Sequence, residues 1–272
     1  MICVNGSSEE LADNHVADVR ILGDPKVVLT ALGEMASSER LRIGSEWIEA
    51  NRLRRKKWAR EMDEMLAADG DGPLHPLQVS RELIDSLDEG DYLIIDGGDT
   101  HFWGEIAVNM AGSEGKSLRG VLHPGPLSIL GVGVPFAVAA KMSHPESRVV
   151  LLSGDGAFLT GGLSIEAAFA NEVPITVVID NNRGFGSIMQ QQMRLFKDGK
   201  TFKTGFRDIP FHKMVESLGG YGESVEKPGR LAAAMERAFA SGLPACINVT
   251  TKSVISPLIV GLTDRRSRAS IE

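Results

Sequence analysis

Short apolar runs alternate with longer amphipathic stretches along the chain from residue 74 onward. The apolar runs are rich in Val, Ile and Leu, and they predict strands over residues 92–96, 148–152, 175–179 and 245–249. The intervening stretches predict helices over residues 76–87, 130–142, 163–171, 211–218 and 230–240. Because the strands are apolar on both faces and alternate with helices, the pattern indicates an α/β fold with a doubly wound, mainly parallel sheet flanked by helices.

The first 73 residues follow a different pattern. A strand is predicted over residues 16–22 and a helix over 26–35, with Pro25 at a tolerated position in the first helical turn. A second helix is predicted over 46–68, before a boundary rich in Gly and Asp. One strand and one helix cannot bury a core of their own. The predicted segments are therefore a short α/β appendage over 1–45, a linker helix over 46–73, a main domain over 74–258 and a mobile tail over 259–272.

The composition excludes several classes of protein. Lys and Arg number 29 against 36 Asp and Glu, and the resulting net charge of −7 argues against general nucleic-acid binding. No apolar run approaches the roughly 20 residues of a membrane-spanning helix, and we see no signal peptide. Two cysteines, Cys3 and Cys246, are too few for a disulfide framework. We therefore expect a cytoplasmic protein with neither a membrane nor a nucleic-acid partner.

Glycine and polar residues follow three of the predicted strands directly, in the segments 96–100, 153–157 and 180–184. In sheets of this kind ligands bind outside the carboxyl ends of the strands. The glycines allow the backbone to approach a ligand closely. Gly156 and Ala157 also precede a helix, whose free N–H groups favour a phosphate.

Asp155 and Asn182 offer oxygen ligands at the ends of two strands that are separated by one helical crossover. Two side-chain oxygens, a backbone carbonyl, a water and two phosphate oxygens would complete an octahedron around Mg²⁺. Alone, a GDG sequence is most simply a strand-to-helix turn. Together with the later Asn-Asn pair it indicates a diphosphate site bridged by a metal.

This combination resembles the thiamine diphosphate signature, in which GDG is followed by NN. The segments Gly154-Asp-Gly-Ala-Phe, Val173-Pro-Ile-Thr-Val-Val-Ile-Asp-Asn-Asn and Leu130-Gly-Val-Gly-Val-Pro-Phe-Ala resemble the acetolactate synthase-like superfamily. Segments 96–104 and 125–133 are similar to those of 2-hydroxyacyl-CoA lyase and oxalyl-CoA decarboxylase. Residues 16–35 resemble the end of the middle domain of that family. The resemblance implies the thiamine diphosphate-binding fold and assigns 1–45 to the tail of that middle domain.

The resemblance also implies a set of site residues. For Mg²⁺ these are the side chains of Asp155 and Asn182 and the carbonyl of Gly184. For thiamine diphosphate the resemblance implies two loops that bind the cofactor, with the residues Gly98, Asp99, Thr100, Gly154, Gly156 and Ala157, and it adds Asn182. It also implies that the carbonyl of Ser128 lies near the 4′-amino group and that Leu130 is the bulky residue that supports the bent cofactor. For the substrate pocket they are Ser187, Ile188 and Gln191.

Two features stand outside the family pattern. Asp99 departs from it, because a carboxylate beside a diphosphate repels it unless the carboxylate faces away or is neutralised. His123 precedes the propping segment and is a candidate for the substrate pocket, against the simpler reading of a loop histidine; His101 is a second such candidate. The six histidines show no metal-spaced pair such as HxxxH.

The family chemistry needs a glutamate that this chain does not supply at the matching place. The cofactor ylide attacks a carbonyl and then serves as the electron sink for C–C cleavage or ligation. The glutamate that activates the pyrimidine lies, in the family, on a separate pyrimidine-binding domain ahead of the middle domain. Glu166 lies on the helix after GDG and is read as structural. We therefore expect a partner chain with the pyrimidine domain and most of the middle domain, in a hetero-oligomer such as a dimer of heterodimers.

The function predicted on this basis is the cofactor-binding subunit of a split C–C lyase or carboligase of the acetolactate synthase or 2-hydroxyacyl-CoA lyase type. Alternatives are a 2-oxo acid or oxalyl-CoA-type decarboxylase subunit and a non-catalytic subunit of the same fold. A nucleotide-binding Rossmann domain is a further alternative, but no GxGxxG follows a first strand. The substrate is a small molecule or a CoA ester, whose phosphates would meet basic residues at 52–57 or 265–268.

Overall fold

The computed structural model describes residues 1–12, 16–38, 44–67, 72–196 and 198–260. The chain divides into two compact units, Met1–Trp58 and Ala59–Glu272. Across the described ranges, no helix combines the length and the apolar character that a membrane span requires. Of the predicted tail, residues 259 and 260 are described, and Ile259 is buried. The basic stretch 265–268 lies outside the described residues.

The first unit is a small α/β unit. Strands β1 (Ile2–Asn5) and β2 (Val19–Leu22) pair in parallel, and helix α1 (Pro25–Ser38) follows. The Asp24 carboxylate accepts the backbone N–H of Lys26 at 2.7 Å and so caps the helix. The predicted strand and helix are both present. The predictions from sequence do not include β1.

Two helices lead into the central sheet. Helix α2 (Ser45–Ala67) matches the predicted linker helix, and the boundary between the units falls within it. Helix α3 (Pro76–Asp85) begins with a capping box. In that box His75 Nδ1 accepts the N–H of Leu77 at 3.1 Å, and the Gln78 side chain accepts the N–H of His75 at 3.3 Å.

The second unit is built on a six-stranded sheet with strand order β4-β3-β5-β6-β8-β7, in which every neighbouring pair is parallel. The strands are β3 (Tyr92–Asp96), β4 (Gly120–Leu122), β5 (Val149–Gly154), β6 (Thr176–Asn181), β7 (Tyr221–Val225) and β8 (Ala245–Thr250). The helices between and after them are α4 (Asp99–Ser113), α5 (Gly133–Ser143), α6 (Asp155–Gly161), α7 (Glu166–Ala170), α8 (Gly186–Leu195), α9 (Phe211–Ser217) and α10 (Leu231–Ser241). The predicted doubly wound parallel fold is confirmed.

Both faces of this sheet are covered by helices. On one face, alternate strand residues such as Ile94, Leu151 and Val177 form an apolar cluster with side chains of α5, α6, α7 and α9. Successive strand residues point to opposite faces. Leu93, Val150 and the other intervening residues are therefore directed to the second face, where α3 packs against α4 and α10. Burial on both sides explains why these strands are apolar throughout.

Several elements differ from the sequence pattern. Helix α5 begins at Gly133, not at 130, because residues before it form a loop bound to Asp96. The predicted helix 163–171 is a 3-10 turn over Gly162–Ile165 followed by α7. Helices α4, α6 and α8 and strands β4 and β7 are additional. Helix α4 buries one continuous face, but that face begins with Asp99 and Thr100 and includes Gly104, so it does not read as an apolar stripe. Strands β4 and β7 are the two edge strands of the sheet.

Candidate functional site

A cavity of about 230 Å³ lies at the carboxyl ends of the adjacent strands β3, β5 and β6. Its lining comes from the loops that follow these strands and from the segment before α5: Gly97, Gly98, Asp99, Thr100, Ser128, Leu130, Gly154, Asp155, Gly156, Ala157, Asn182, Gly184, Phe185, Gly186, Ser187 and Ile188. The structure thus brings together every residue predicted to contact the cofactor or the metal, and two of the predicted substrate-pocket residues.

The candidate residues that lie outside this lining are Gln191, His123 and His101. Gln191 is one turn further along α8 and its Nε2 donates to the Ser187 hydroxyl at 3.3 Å. His123 lines a separate cavity of about 480 Å³ together with Tyr92, Phe136 and other residues. Glu166 is exposed at the start of α7.

Oxygen atoms suited to a hard cation meet at the ends of β5 and β6. Asp155 is buried, with one carboxylate oxygen accepting the N–H of Gly156 at 2.6 Å and the other that of Gly184 at 2.9 Å. Asn182 Oδ1 is buried without a hydrogen-bond partner. An unpaired buried acceptor is costly unless a ligand satisfies it. These oxygens fit Mg²⁺, which prefers carboxylate, amide and carbonyl oxygens.

The carboxyl group of Asp155 is a weaker acid than an ordinary aspartate. Burial, followed by the charge of Asp180, raises the pKa of Asp155 to about 7 against the opposing N–H groups of Gly184 and Gly156. A carboxylate held in such surroundings gains from a cation that restores its ionised form. The electrostatics of this corner of the cavity therefore favour a bound positive charge.

Both oxygens of the Asp99 carboxylate accept hydrogen bonds from residues outside the cavity lining. Its Oδ1 accepts the backbone N–H of Ser256 at 2.7 Å and its Oδ2 accepts the indole N–H of Trp103 at 3.0 Å. Burial raises the pKa of Asp99 to about 7, and the charge of Asp180 adds to this. The two hydrogen bonds and the raised pKa are the features that would allow an aspartate beside a diphosphate.

Thr100 links two strand ends. Its hydroxyl donates to Asp180 Oδ2 at 2.7 Å, and the Thr251 hydroxyl donates to the other oxygen of the same carboxylate. Burial raises the pKa of Asp180. Because the Thr100 hydroxyl is used in this way, the group that remains available to a ligand is its backbone N–H at the start of α4.

Asp96 organises the loop that carries Ser128 and Leu130. Its Oδ2 accepts the backbone N–H groups of Gly131 at 3.0 Å and Gly133 at 2.7 Å. Burial raises the pKa of Asp96, while these N–H groups and the charge of His101 lower it. The predictions from sequence do not include this role for Asp96. The feature that could have indicated it is the position of Asp96 at the end of the buried strand β3.

The same loop crosses the chain at Gly161 very closely. A Cβ atom on Gly161 would lie 2.0 Å from the carbonyl oxygen of Gly131, and Gly131 itself has a φ of +89°. Only a glycine at each position permits this crossing. The cavity wall around Leu130 is therefore defined by backbone contacts.

Three lining residues were not predicted: Gly97, Phe185 and Gly186. Phe185 packs edge-on against Phe206, with ring centroids 4.7 Å apart. A Cβ on Gly186 would lie 2.9 Å from the Asn182 side-chain nitrogen. The available sequence signal was their position beside the two motifs already identified.

Comparison with known proteins gives a family match. The family model described as thiamine pyrophosphate enzyme, C-terminal TPP binding domain, matches residues 98–249. A probable acetolactate synthase of Mycobacterium bovis (strain ATCC BAA-935 / AF2122/97) is 35% identical over 233 residues, which is 85% of this chain and 40% of the relative. A 2-hydroxyacyl-CoA lyase of Oryza sativa subsp. japonica is 28% identical over 251 residues, covering 88% of this chain and 42% of the relative.

A solved structure has the same fold. The thiamine diphosphate-dependent 4-hydroxybenzoylformate decarboxylase of Rhodococcus jostii RHA1 superposes with a TM-score of 0.58 at 24% identity, over 68% of this chain and 34% of that one. The chain spans about two-fifths of the length of the curated relatives named above. The residues matched by the family model include every residue that lines the cavity except Gly97. The chain therefore belongs to the thiamine pyrophosphate enzyme family and contains its C-terminal cofactor-binding domain.

Proposed function

We propose that this chain is the thiamine diphosphate- and Mg²⁺-binding part of a C–C bond lyase or carboligase of the acetolactate synthase or 2-hydroxyacyl-CoA lyase type. The observation that carries the proposal is that Asp155 and Asn182 line one cavity, and that Asn182 Oδ1 has no hydrogen-bond partner there. The similarity to relatives with these two activities supports the reaction class. The substrate would be a 2-oxo acid or a 2-hydroxyacyl-CoA.

In this proposal one group of cavity residues would hold the metal and a second group would hold the diphosphate. Asp155, Asn182 and the carbonyl of Gly184 would hold Mg²⁺, and the backbone N–H groups that open α4 would receive the diphosphate. Gly98 is the N-cap of that 15-residue helix and provides no side-chain cap, so the helix dipole and its free N–H groups favour an anion. The bound cofactor supplies the electron sink for C–C cleavage or ligation.

The remaining lining residues would shape the reacting part of the site. Leu130 would support the bent cofactor, and the carbonyl of Ser128 would accept a hydrogen bond from its amino group. Ser187 and Ile188, at the start of α8, would contact the substrate. The apolar side chains of Leu130, Phe185 and Ile188 would exclude water from their part of the cavity.

We further propose that a second chain supplies the activating glutamate, together with a pyrimidine-binding domain and most of a middle domain. Among the described residues that line the cavity, the carboxylates are Asp99 and Asp155, and both are committed to other contacts. In the first unit, a two-stranded parallel sheet is marginal by itself. Exposed apolar side chains on α1, such as Val27 and Leu29, are consistent with further structure packing there.

The test is to isolate the protein from its native host under non-denaturing conditions with thiamine diphosphate and Mg²⁺, and to measure intact masses. We expect a second polypeptide of about the size of this chain or larger in stoichiometric amount, with retained cofactor and C–C lyase or carboligase activity. The Asp155→Asn variant is expected to assemble with the same partner but to retain no cofactor. The matched control Glu166→Gln, at an exposed position, is expected to behave as wild type.

Other outcomes separate the parts of the proposal. Recovery of one longer polypeptide that contains this sequence would contradict the two-chain arrangement and leave the cofactor site intact. A partner complex that excludes thiamine diphosphate would contradict the cofactor site and indicate a structural subunit. A complex that retains cofactor but turns over no 2-oxo acid or 2-hydroxyacyl-CoA would contradict the reaction class.

A further inference from the structure

Three side chains with metal-ligating atoms converge outside the lining of the cofactor cavity. They are His101, Glu105 and His123, and one ligand atom from each lies within 4.8 Å of the other two. His101 and Glu105 are half-buried, whereas His123 is exposed, so the cluster is accessible from solvent. The proposed function uses none of these side chains.

Local geometry explains the convergence. His101 and Glu105 are four residues apart on α4 and therefore share one helix face, with His101 Nε2 lying 3.0 Å from Glu105 Oε1. His123 follows the edge strand β4, which pairs with β3, the strand that leads into α4. The rings of His101 and His123 are consequently neighbours, with centroids 5.0 Å apart.

We propose that His101, Glu105 and His123 bind a transition-metal cation of the Zn²⁺ class. Two imidazoles and one carboxylate are a ligand set typical of Zn²⁺ sites that keep one position open to water. Tetrahedral ligands about 2.0–2.1 Å from Zn²⁺ are roughly 3.4 Å apart. Small side-chain adjustments from the observed spacing therefore suffice. Mg²⁺ is unsuited to this cluster because it prefers oxygen ligands, so the site is chemically distinct from Asp155 and Asn182.

Two existing hydrogen bonds must be exchanged for bonds to the metal. The backbone N–H of Gly125 donates to His123 Nδ1 at 3.1 Å at an exposed position. The cation would either take this nitrogen in place of Gly125, or bind Nε2 after the ring proton moves to Nδ1. The His101–Glu105 contact would likewise be replaced by bonds to the metal.

Occupation of this site would connect two walls of the cofactor cavity. Helix α4 begins with the cavity residues Asp99 and Thr100, and the segment after His123 continues to Ser128 and Leu130. A cation held by all three side chains would tie these two segments together. It would therefore act as a clip that limits their separation.

The test is Zn²⁺ binding to untagged protein stripped with a chelator, followed by calorimetric titration in excess Mg²⁺. Wild type is expected to bind one Zn²⁺. The variants His101→Ala, Glu105→Gln and His123→Ala are each expected to bind at least about tenfold more weakly. His144→Ala is the matched histidine control, because His144 stacks on Tyr92 outside the cluster; it is expected to bind Zn²⁺ as wild type does.

Two further measurements make the result decisive. Asp155→Asn is expected to keep Zn²⁺ binding, so failure of the thiamine diphosphate site and failure of this site can be told apart. Thermal unfolding without Zn²⁺ checks that each variant is folded, and the exposed position of His123 makes His123→Ala the variant of choice. Absence of Zn²⁺ binding in wild type, or unchanged affinity in folded His123→Ala, would overturn the proposal.

Discussion

Asp155 Oδ2 lies 2.9 Å from the backbone nitrogen of Gly184, which donates a hydrogen bond to it. The bond joins the end of β5 to the loop after β6, and the same loop begins with Asn182, whose Oδ1 has no partner. Adjacent parallel strands thus hold the two oxygen-bearing side chains in position through the backbone. This relationship underlies the predictions on cofactor binding.

Replacement of Asn182 by Ala is expected to separate binding from stability. The substitution removes a buried acceptor that lacks a partner, so the free energy of unfolding of the cofactor-free protein should be unchanged or higher by up to about 1 kcal/mol. The Mg²⁺-dependent affinity for thiamine diphosphate should fall at least about tenfold. Urea unfolding and calorimetric titration measure the two effects. A large loss of stability with unchanged affinity would identify Asn182 as a structural residue.

Replacement of Asp99 by Asn is expected to change how stability depends on pH. Because burial raises the pKa of Asp99 to about 7 from a usual value of 3.8, the folded state holds a proton that the unfolded state releases. The stabilisation from this carboxyl is complete below its unfolded pKa and is lost as pH rises to the folded pKa. Relative to Asp99→Asn, wild-type stability should therefore decline between about pH 4 and pH 7.

The size of this decline is on the order of a few kcal/mol, as expected for a carboxyl whose pKa is about 7 in the folded state and 3.8 in the unfolded state. Urea unfolding of both proteins at several pH values, without cofactor or Mg²⁺, measures it. Asp155 and Asp180 are present in both proteins, so their direct titration largely cancels in the difference. Parallel pH profiles for wild type and Asp99→Asn would show that the Asp99 carboxyl titrates normally.

Replacement of Asp96 by Asn is expected to loosen the loop that carries Leu130. In Asn an NH₂ group would replace Oδ1, which also accepts the Gly131 N–H at 3.3 Å, so that a donor would face a donor, and the neutral amide oxygen would accept the N–H groups of Gly131 and Gly133 less strongly than the carboxylate does. The unpaired buried donor should lower the free energy of unfolding by about 1–3 kcal/mol, and thiamine diphosphate affinity should fall with it. The exposed Glu166→Gln substitution is the control. Unchanged stability and affinity would mean that the loop holds its shape without Asp96.

Replacement of Gly161 by Ala is expected to disturb the same loop from its other side. The new Cβ would lie 2.0 Å from the carbonyl oxygen of Gly131. Because that oxygen belongs to the backbone, it cannot move aside as the end of a flexible side chain could. The strain should lower stability by about 1–3 kcal/mol. Gly112→Ala is the matched control, since no atom lies within 4 Å of its Cβ; in helix α4 it should raise stability by about 0.5–1 kcal/mol. Equal effects of the two substitutions would contradict this account.

The buried strands are the part of the fold that is predictable from sequence. The predicted strand 92–96 coincides with β3, because a run that is apolar on both faces has one favourable place in a covered parallel sheet. Edge strand β4 has three residues, and edge strand β7 carries Gly222, Glu223 and Ser224, so neither forms an apolar run. Helix α5 starts three residues later than predicted because the backbone N–H groups of Gly131 and Gly133 donate to Asp96. These two glycines are 35 and 37 residues from Asp96 in the sequence, so a local pattern does not reveal the contact.

The candidate site was predictable where it depends on strand ends. Asp155 and Asn182 follow β5 and β6, which are neighbours in the sheet, so a motif on each strand is enough to place them in one cavity. The direction of the Asp99 side chain depends on Ser256, which is 157 residues away. The approach of His123 to His101 depends on β4, which the pattern does not reveal. Both relationships arise from tertiary packing.

Calorimetric titration with thiamine diphosphate tests the central claim most directly, in Mg²⁺ and in excess chelator, on the complex isolated from the native host with wild-type, Asp155→Asn or Glu166→Gln chain. The account predicts Mg²⁺-dependent binding by wild type and Glu166→Gln, and an affinity at least about tenfold lower in chelator or in folded Asp155→Asn. Binding that is the same in all three proteins and independent of Mg²⁺, or absent from wild type at millimolar ligand, would contradict the assignment of this cavity.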